Sequence, residues 1–220
     1  MSKSNGLLLT LAVIGALGLA TPAVADTIGT ATNPCVNNSC QGNTFTLTFV
    51  QTGTNAYTIT LTVNTSGFTG QGAGTSAVLN AVDFKVSDPN TLTLVSSTPP
   101  AGYNNAVLSN LNTASANCTG QATTGFICFG SSTANGGVAL PNGTLVFSAN
   151  ITTTNLFTGP GAASIQALYL RTGPQGQIQG QLTSEPITLQ QPVPEPASMV
   201  LFGSGLVGIG AALRRRLRLK

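Results

Sequence analysis

The chain has 220 residues with no His and no Trp, and only 6% of its residues are charged. Its formal charge of +3 sits at the ends, with Lys3 near the start and Arg214, Arg215, Arg216, Arg218 and Lys220 at the close; between them, Asp26, Asp83, Asp88 and Glu185 against Lys85 and Arg171 leave about −2. Polyanion binding needs clustered cations that release counterions, and general acid–base work usually needs His or paired carboxylates. This composition therefore excludes a nucleic-acid partner, assigns no catalytic residue and calls for no cofactor or enzyme activity.

Residues 1–25 read as a secretory leader. Lys3 gives the positive end, Leu7 to Ala20 the apolar core, and Ala23-Val24-Ala25 a small-x-small cleavage site before Asp26. Pro22 breaks the helix ahead of the cut. Such a leader implies the Sec translocon and signal peptidase as partners, and leaves residues 26–192 to form one domain with its own core.

That domain reads as all-β. Phe45, Leu47 and Phe49 alternate with threonines, as do Tyr57, Ile59, Leu61 and Val63. Successive side chains of a strand point to opposite faces, so each run has one apolar and one hydroxyl face. Gly53-Thr54-Asn55-Ala56 between them suits a hairpin. Further strands are expected over 78–86, 92–96, 125–129, 144–152 and 163–172, and over 177–190 with an interruption at Pro186. Asp88-Pro89-Asn90, Pro99-Pro100, Pro141-Asn142-Gly143, Gly159-Pro160-Gly161 and Gly173-Pro174 supply the turns between them. Leu140-Pro141-Asn142-Gly143-Thr144, which looks like a sortase site with its last two residues exchanged, is read as one of these turns. Eight or nine short strands at this spacing indicate a β-sandwich.

Threonine favours pleated backbone and keeps a surface wet without charge. The plain reading of these faces is the wet surface of a secreted sandwich; because low charge also removes a usual defence of exposed sheet edges, strand addition between copies is a second reading, and a polar surface for glycans or ice a third. Sugar platforms usually present aromatics; Tyr103, after Pro99-Pro100, is the candidate here, because Phe45 and Phe49 read as core.

Cys35, Cys40, Cys118 and Cys128 form an even set in an exported chain, which suits disulfides. Of the three possible connectivities, Cys35–Cys40 with Cys118–Cys128 is favoured because each pair closes a short loop rich in turn formers, for about 2–3 kcal/mol apiece. Zinc would want paired close spacings or His ligands, and neither is present, so no metal site is assigned. Asp83, Asp88 and Asn90 lie close enough in sequence to consider Ca²⁺, but a calcium loop supplies denser oxygens. The plainer reading makes Asp83 an outward strand residue pairing near Lys85, and Asp88 a turn starter.

The end of the chain has three parts in fixed order. Val193-Pro194-Glu195-Pro196 is followed by an uncharged run from Ala197 to Leu213, and then by the basic cluster Arg214, Arg215, Arg216, Arg218 and Lys220. As a helix the run would be about 25 Å long, at the short limit for a bilayer core, with the cations as a cytoplasmic anchor. Ser204, Gly208 and Ala212 recur at a spacing that lets membrane helices approach closely. Together the three parts resemble the PEP-CTERM sorting signal of exported bacterial proteins, over residues 193–220.

The resemblance implies an exosortase, a membrane protease-transferase, as partner. It makes Val193 to Pro196 the recognition and processing motif, and residues 197–213 a transient inner-membrane anchor. It further implies a final place in the cell envelope, outer surface or extracellular matrix of a Gram-negative-type bacterium, in association with exopolysaccharide. Asn117-Cys118-Thr119-Gly120 with Gly125-Phe126-Ile127-Cys128 is similar to a Cys-containing hairpin of some PEP-CTERM ectodomains. The Asp83–Asn90 region resembles the cohesin-like sandwiches of other exported proteins. The resulting expectation is an Ig-like or cohesin-like β-sandwich with a structural, non-enzymatic role, the alternative being a carbohydrate- or surface-binding module.

Overall fold

The computed structural model describes residues 26–70, 77–111, 117–120, 125–133, 136–172 and 178–191. The expected leader through Ala25, the sorting motif, the 197–213 span and the basic cluster lie outside these residues. Among the described residues no helix is long and apolar enough to cross a membrane.

The described residues form eleven strands: β1 (Thr27–Ile28), β2 (Thr44–Gly53), β3 (Ala56–Asn64), β4 (Ala77–Lys85), β5 (Thr93–Thr98), β6 (Val107–Leu108), β7 (Phe126–Gly130), β8 (Val138–Ala139), β9 (Thr144–Thr152), β10 (Ala163–Thr172) and β11 (Ile178–Ile187). Two antiparallel sheets result, one in the order β1-β2-β3-β9-β5 and the other β11-β10-β4-β7-β6, with β8 also paired to β4. Strands β2, β3 and β9 follow the expected apolar alternation, whereas β4 and part of β10 are buried on both faces. The two-residue strands β1, β6 and β8 are too short to show any period, and they take the count past the expected eight or nine.

The β2–β3 hairpin closes as its sequence requires. Gly53 faces Ala56 across the turn, and Asn55 takes φ +56°, a left-handed conformation that Asn tolerates better than most residues. Pro186 does not interrupt the last strand as expected. It pairs in register with Ser164, and β11 is an edge strand, where a missing N–H costs the sheet no ladder bond on its open side.

The core lies between the sheets. Phe45, Phe84, Phe129 and Phe147 are fully buried, and the Phe129 and Phe147 rings meet at 5.4 Å across the sandwich. Burying each such side chain contributes about 1.5–3 kcal/mol. On the opposite side of the six-stranded sheet Ala81, Cys128, Leu168 and Leu170 form a second apolar cluster with Leu111. Leu111 belongs to the segment after β6, so that segment covers the sheet's outer face around Ala81, Cys128, Leu168 and Leu170.

Candidate functional site

Three features of the domain bear on function: the segment that leads to the expected sorting motif, the covered face of one sheet and the bare face of the other.

After Ile187 the chain leaves the six-stranded sheet and docks on the edge of the five-stranded one. Phe49 N–H donates to Gln190 O at 2.7 Å and Gln190 N–H donates to Leu47 O at 3.1 Å, making a parallel bridge to Thr48. Ile187 and Leu189 are buried on either side of Thr188. Asp26 holds the same segment from the other end of the domain. Its Oδ2 accepts the Thr188 N–H at 3.0 Å, and its Oδ1 accepts from Asn33 Nδ2 at 2.8 Å. Asp26, read from sequence as the residue after the leader cut, is thus also a clamp on the strand that exits toward the tail. Replacing it by Ala should cost about 1.5–3 kcal/mol, the usual worth of hydrogen bonds to a charged acceptor. The direct check is the Thr188 amide, whose hydrogen exchange should accelerate in Asp26→Ala; unchanged protection there would refute the clamp.

Both favoured disulfides are present, Cys35–Cys40 and Cys118–Cys128, each with a Cα–Cα distance of 5.7 Å. The second ties the covering segment to β7. Beneath it lies Asp83, which does not face solvent beside Lys85. It is fully buried, and its Oδ2 accepts the Leu111 N–H at 2.9 Å, while its Oδ1 has no partner. Burial drives its carboxyl well above the usual range, and the Leu111 bond only partly offsets that. Lys85 instead lies over the Phe126 ring, 5.9 Å from its centroid. Asn80 pins the segment at a second point. Its Oδ1 accepts the Asn117 N–H at 2.8 Å and its Nδ2 donates to Gly136 O at 2.7 Å.

Asp88 is taken up by its own turn, accepting from Asn90 N–H at 2.9 Å and Asn90 Nδ2 at 3.0 Å. Asp83, Asp88 and Asn90 therefore form no common oxygen cage. Beside the Cys118–Cys128 disulfide a cavity of about 190 Å³ opens, lined by Asn104, Asn105, Asn117, Thr119 and neighbours. Among the described residues no titrating group lines it.

Tyr103 is not an exposed sugar platform. It is buried, its hydroxyl donates to Leu79 O at 2.6 Å, and its ring meets Phe147 edge-on at 4.9 Å. Burial pushes its hydroxyl above the ordinary phenol range. Pro99-Pro100 turns the chain back over the core rather than outward.

Among the described residues nothing covers the outer face of the five-stranded sheet, and it carries no charge. Register places Thr48, Thr60, Ser148 and Thr98 in one row across β2, β3, β9 and β5. A second row runs through Thr58, Asn150 and Ser96, joined by hydrogen bonds of 2.6 and 2.8 Å. Thr27 and Thr46 hydroxyls meet at 2.7 Å.

A family model described as the PEP-CTERM protein-sorting motif matches residues 192–216. The chain carries that motif, which implies an exported protein, transiently anchored by its C-terminus and processed by an exosortase. No curated protein matches the chain. Among solved structures it is similar to a cohesin module from the Clostridium perfringens ATCC13124 family 33 glycoside hydrolase, at 14% identity and TM-score 0.31, over 68% of this chain and 96% of that one. It is also similar to the sixth cohesin of Acetivibrio cellulolyticus scaffoldin B, solved with a Cel5 dockerin, at 11% identity and TM-score 0.27, over 67% of this chain and 94% of that one. A GH20 exo-β-N-acetylglucosaminidase from Vibrio harveyi matches at 15% identity and TM-score 0.34, over 68% of this chain but 19% of the enzyme. Likenesses of this size carry no function across.

Proposed function

We propose, on the premise that a chain carrying the PEP-CTERM sorting motif is exported and handled by an exosortase, that this protein is a non-enzymatic structural component of the cell envelope or extracellular matrix. In this reading residues 1–25 deliver the chain and residues 26–192 fold as an Ig-like or cohesin-like sandwich. Residues 197–213, followed by Arg214, Arg215 and Arg216, hold it in the inner membrane until processing near Val193-Pro194-Glu195-Pro196. Exopolysaccharide is the partner expected at the final location.

One observation carries the reading. Among the described residues the last core side chain is Leu189 and the last docked residue is Gln190, while the matched motif begins at residue 192. Removal of the tail therefore takes away no part of the described core. A carbohydrate-binding role has lost its aromatic candidate, because Tyr103 is inside.

Replacing Pro194, Glu195 and Pro196 by alanine should leave export intact and the tail uncleaved. Intact-mass measurement of the surface-released protein reads both results. A processing site unchanged by the replacement would overturn the assignment.

A further inference from the structure

We infer that the hydroxyl face of the five-stranded sheet is the surface through which folded copies of this chain pack on one another. The inference rests on the structural role proposed above and names its partner as a second copy.

Edge-to-edge addition is the usual route by which sheets join, and here the edges are blunted with a single charge, the inward Glu185 of β11, among the described edge strands. The β1 edge of the five-stranded sheet is two residues long, and Gln190 occupies the adjoining part of β2. At the other edge, β5 has a register break between Leu94 and Ser96 and runs into Pro99-Pro100. In the six-stranded sheet, Asn104 and Ser109 N–H groups bond to Gly130 and Phe126 carbonyls and, with β6, fill the edge of β7. Pro186 breaks the donor row of β11. Bulges, prolines and short edge strands are the known alternatives to edge charge.

Faces remain. Among the described residues the outer face of the six-stranded sheet is covered by Leu111 around Ala81, Cys128, Leu168 and Leu170 and is open only at its β10–β11 side, where the hydrogen bond from Gln166 to Ser184 is exposed, whereas the five-stranded face is bare along its whole length. A hydroxyl both donates and accepts, so a face made of hydroxyls is complementary to an identical face, as a face of lysines or aspartates is not. Among the described residues Thr48, Thr60, Thr62, Thr98 and Ser148 make no side-chain hydrogen bond within the domain, which leaves them open to such pairing. Val50 and Val146 on the same face are 48% and 47% exposed and add apolar contact. Two sheets of the same twist stack aligned, as they do inside any sandwich.

The size is sufficient. Four strands about 4.8 Å apart, averaging about eight or nine residues at about 3.3 Å each, give ~550 Å² per copy. A pair would bury ~1,100 Å², just above the ~1,000 Å² that a specific contact needs. Such a contact is weak singly and suits a layer in which copies are held at high local concentration.

The test uses the processed protein recovered from the surface of producing cells, studied by sedimentation from micromolar to millimolar concentration. Wild type should associate with concentration. Thr60→Lys/Ser148→Lys and Thr60→Glu/Ser148→Glu, each placing two like charges at the centre of the face, should each weaken association at least ten-fold while keeping the wild-type circular dichroism and melting temperature. Mixing the Lys and Glu variants should restore association at low salt and lose it at about 1 M salt, where charges are screened within about 3 Å. A merely misfolded surface would not be rescued by mixing. A wild type that stays monomeric, variants that associate unchanged, or a mixture that stays dissociated would each overturn the inference. Retention of a monomeric wild type on an insoluble neutral polysaccharide, lost in both variants, would give the face to a glycan instead. None of these outcomes involves the tail, so failure here leaves the alanine-replacement result standing.

Discussion

Phe147→Ala is expected to lower the free energy of unfolding by about 3–5 kcal/mol, the range for deleting a buried aromatic side chain. Phe147 is fully buried on β9 and touches both halves of the core. Its ring meets Phe129 of the other sheet at 5.4 Å and Tyr103 edge-on at 4.9 Å. Aromatic pairs at such distances add about 0.5–1.5 kcal/mol beyond area burial. Truncation also leaves a void between two sheets whose backbones are fixed by ladders, so little collapse can fill it. Phe147→Leu, nearer in volume, should cost about 1.5 kcal/mol or less. Urea unfolding of the purified processed protein measures both; a loss below about 1 kcal/mol for the Ala variant would mean that the sheets do not meet at this residue.

Most of that core was legible in the sequence because period-two alternation survives wherever one face is buried and the other wet. The threonine runs of β2 and β3 mark both strands and their apolar faces, and Gly53-Thr54-Asn55-Ala56 marks the hairpin that joins them. Three readings failed for physical reasons. Tyr103 follows two prolines and looked exposed, but the turn folds it back to Leu79 O, and nothing local encodes the direction of a turn. Pro186 looked like a stop because edge position, which makes it harmless, is a property of the sheet order. Asp83 looked solvated because it lies on the polar phase of β4; the segment that buries it arrives from 28 residues away. The Cys118–Cys128 pairing was the available hint that a loop crosses there.

The same buried carboxyl sets the second large effect, a stability that falls as pH rises. In the folded domain the Asp83 carboxyl titrates well above the ordinary aspartate value of 3.8, chiefly because burial strips it of water. The folded domain therefore holds the proton to higher pH than the unfolded chain does. Its contribution is fully present below pH 3.8 and is lost as pH climbs through the raised value. Its cross-strand neighbours are Cys128 and Gln166; the first is in a disulfide and the second does not ionise. Lys85, two residues along β4, is held at the Phe126 ring instead. Asp83→Asn keeps an acceptor for the Leu111 N–H and removes the charge, so it should be more stable than wild type at neutral pH and lose that advantage in acid. Asp83→Ala should cost about 1–3 kcal/mol in acid, because the Leu111 N–H is then buried without a partner. Reducing Cys118–Cys128 should narrow the gap between wild type and Asp83→Asn at neutral pH, since an untied segment can swing away and let water reach the carboxylate. Unfolding curves for the variants across acid to neutral pH, with and without reductant, decide the matter. Parallel wild-type and Asp83→Asn profiles would show that this carboxyl titrates alike in both states and that the covering segment does not seal it from solvent.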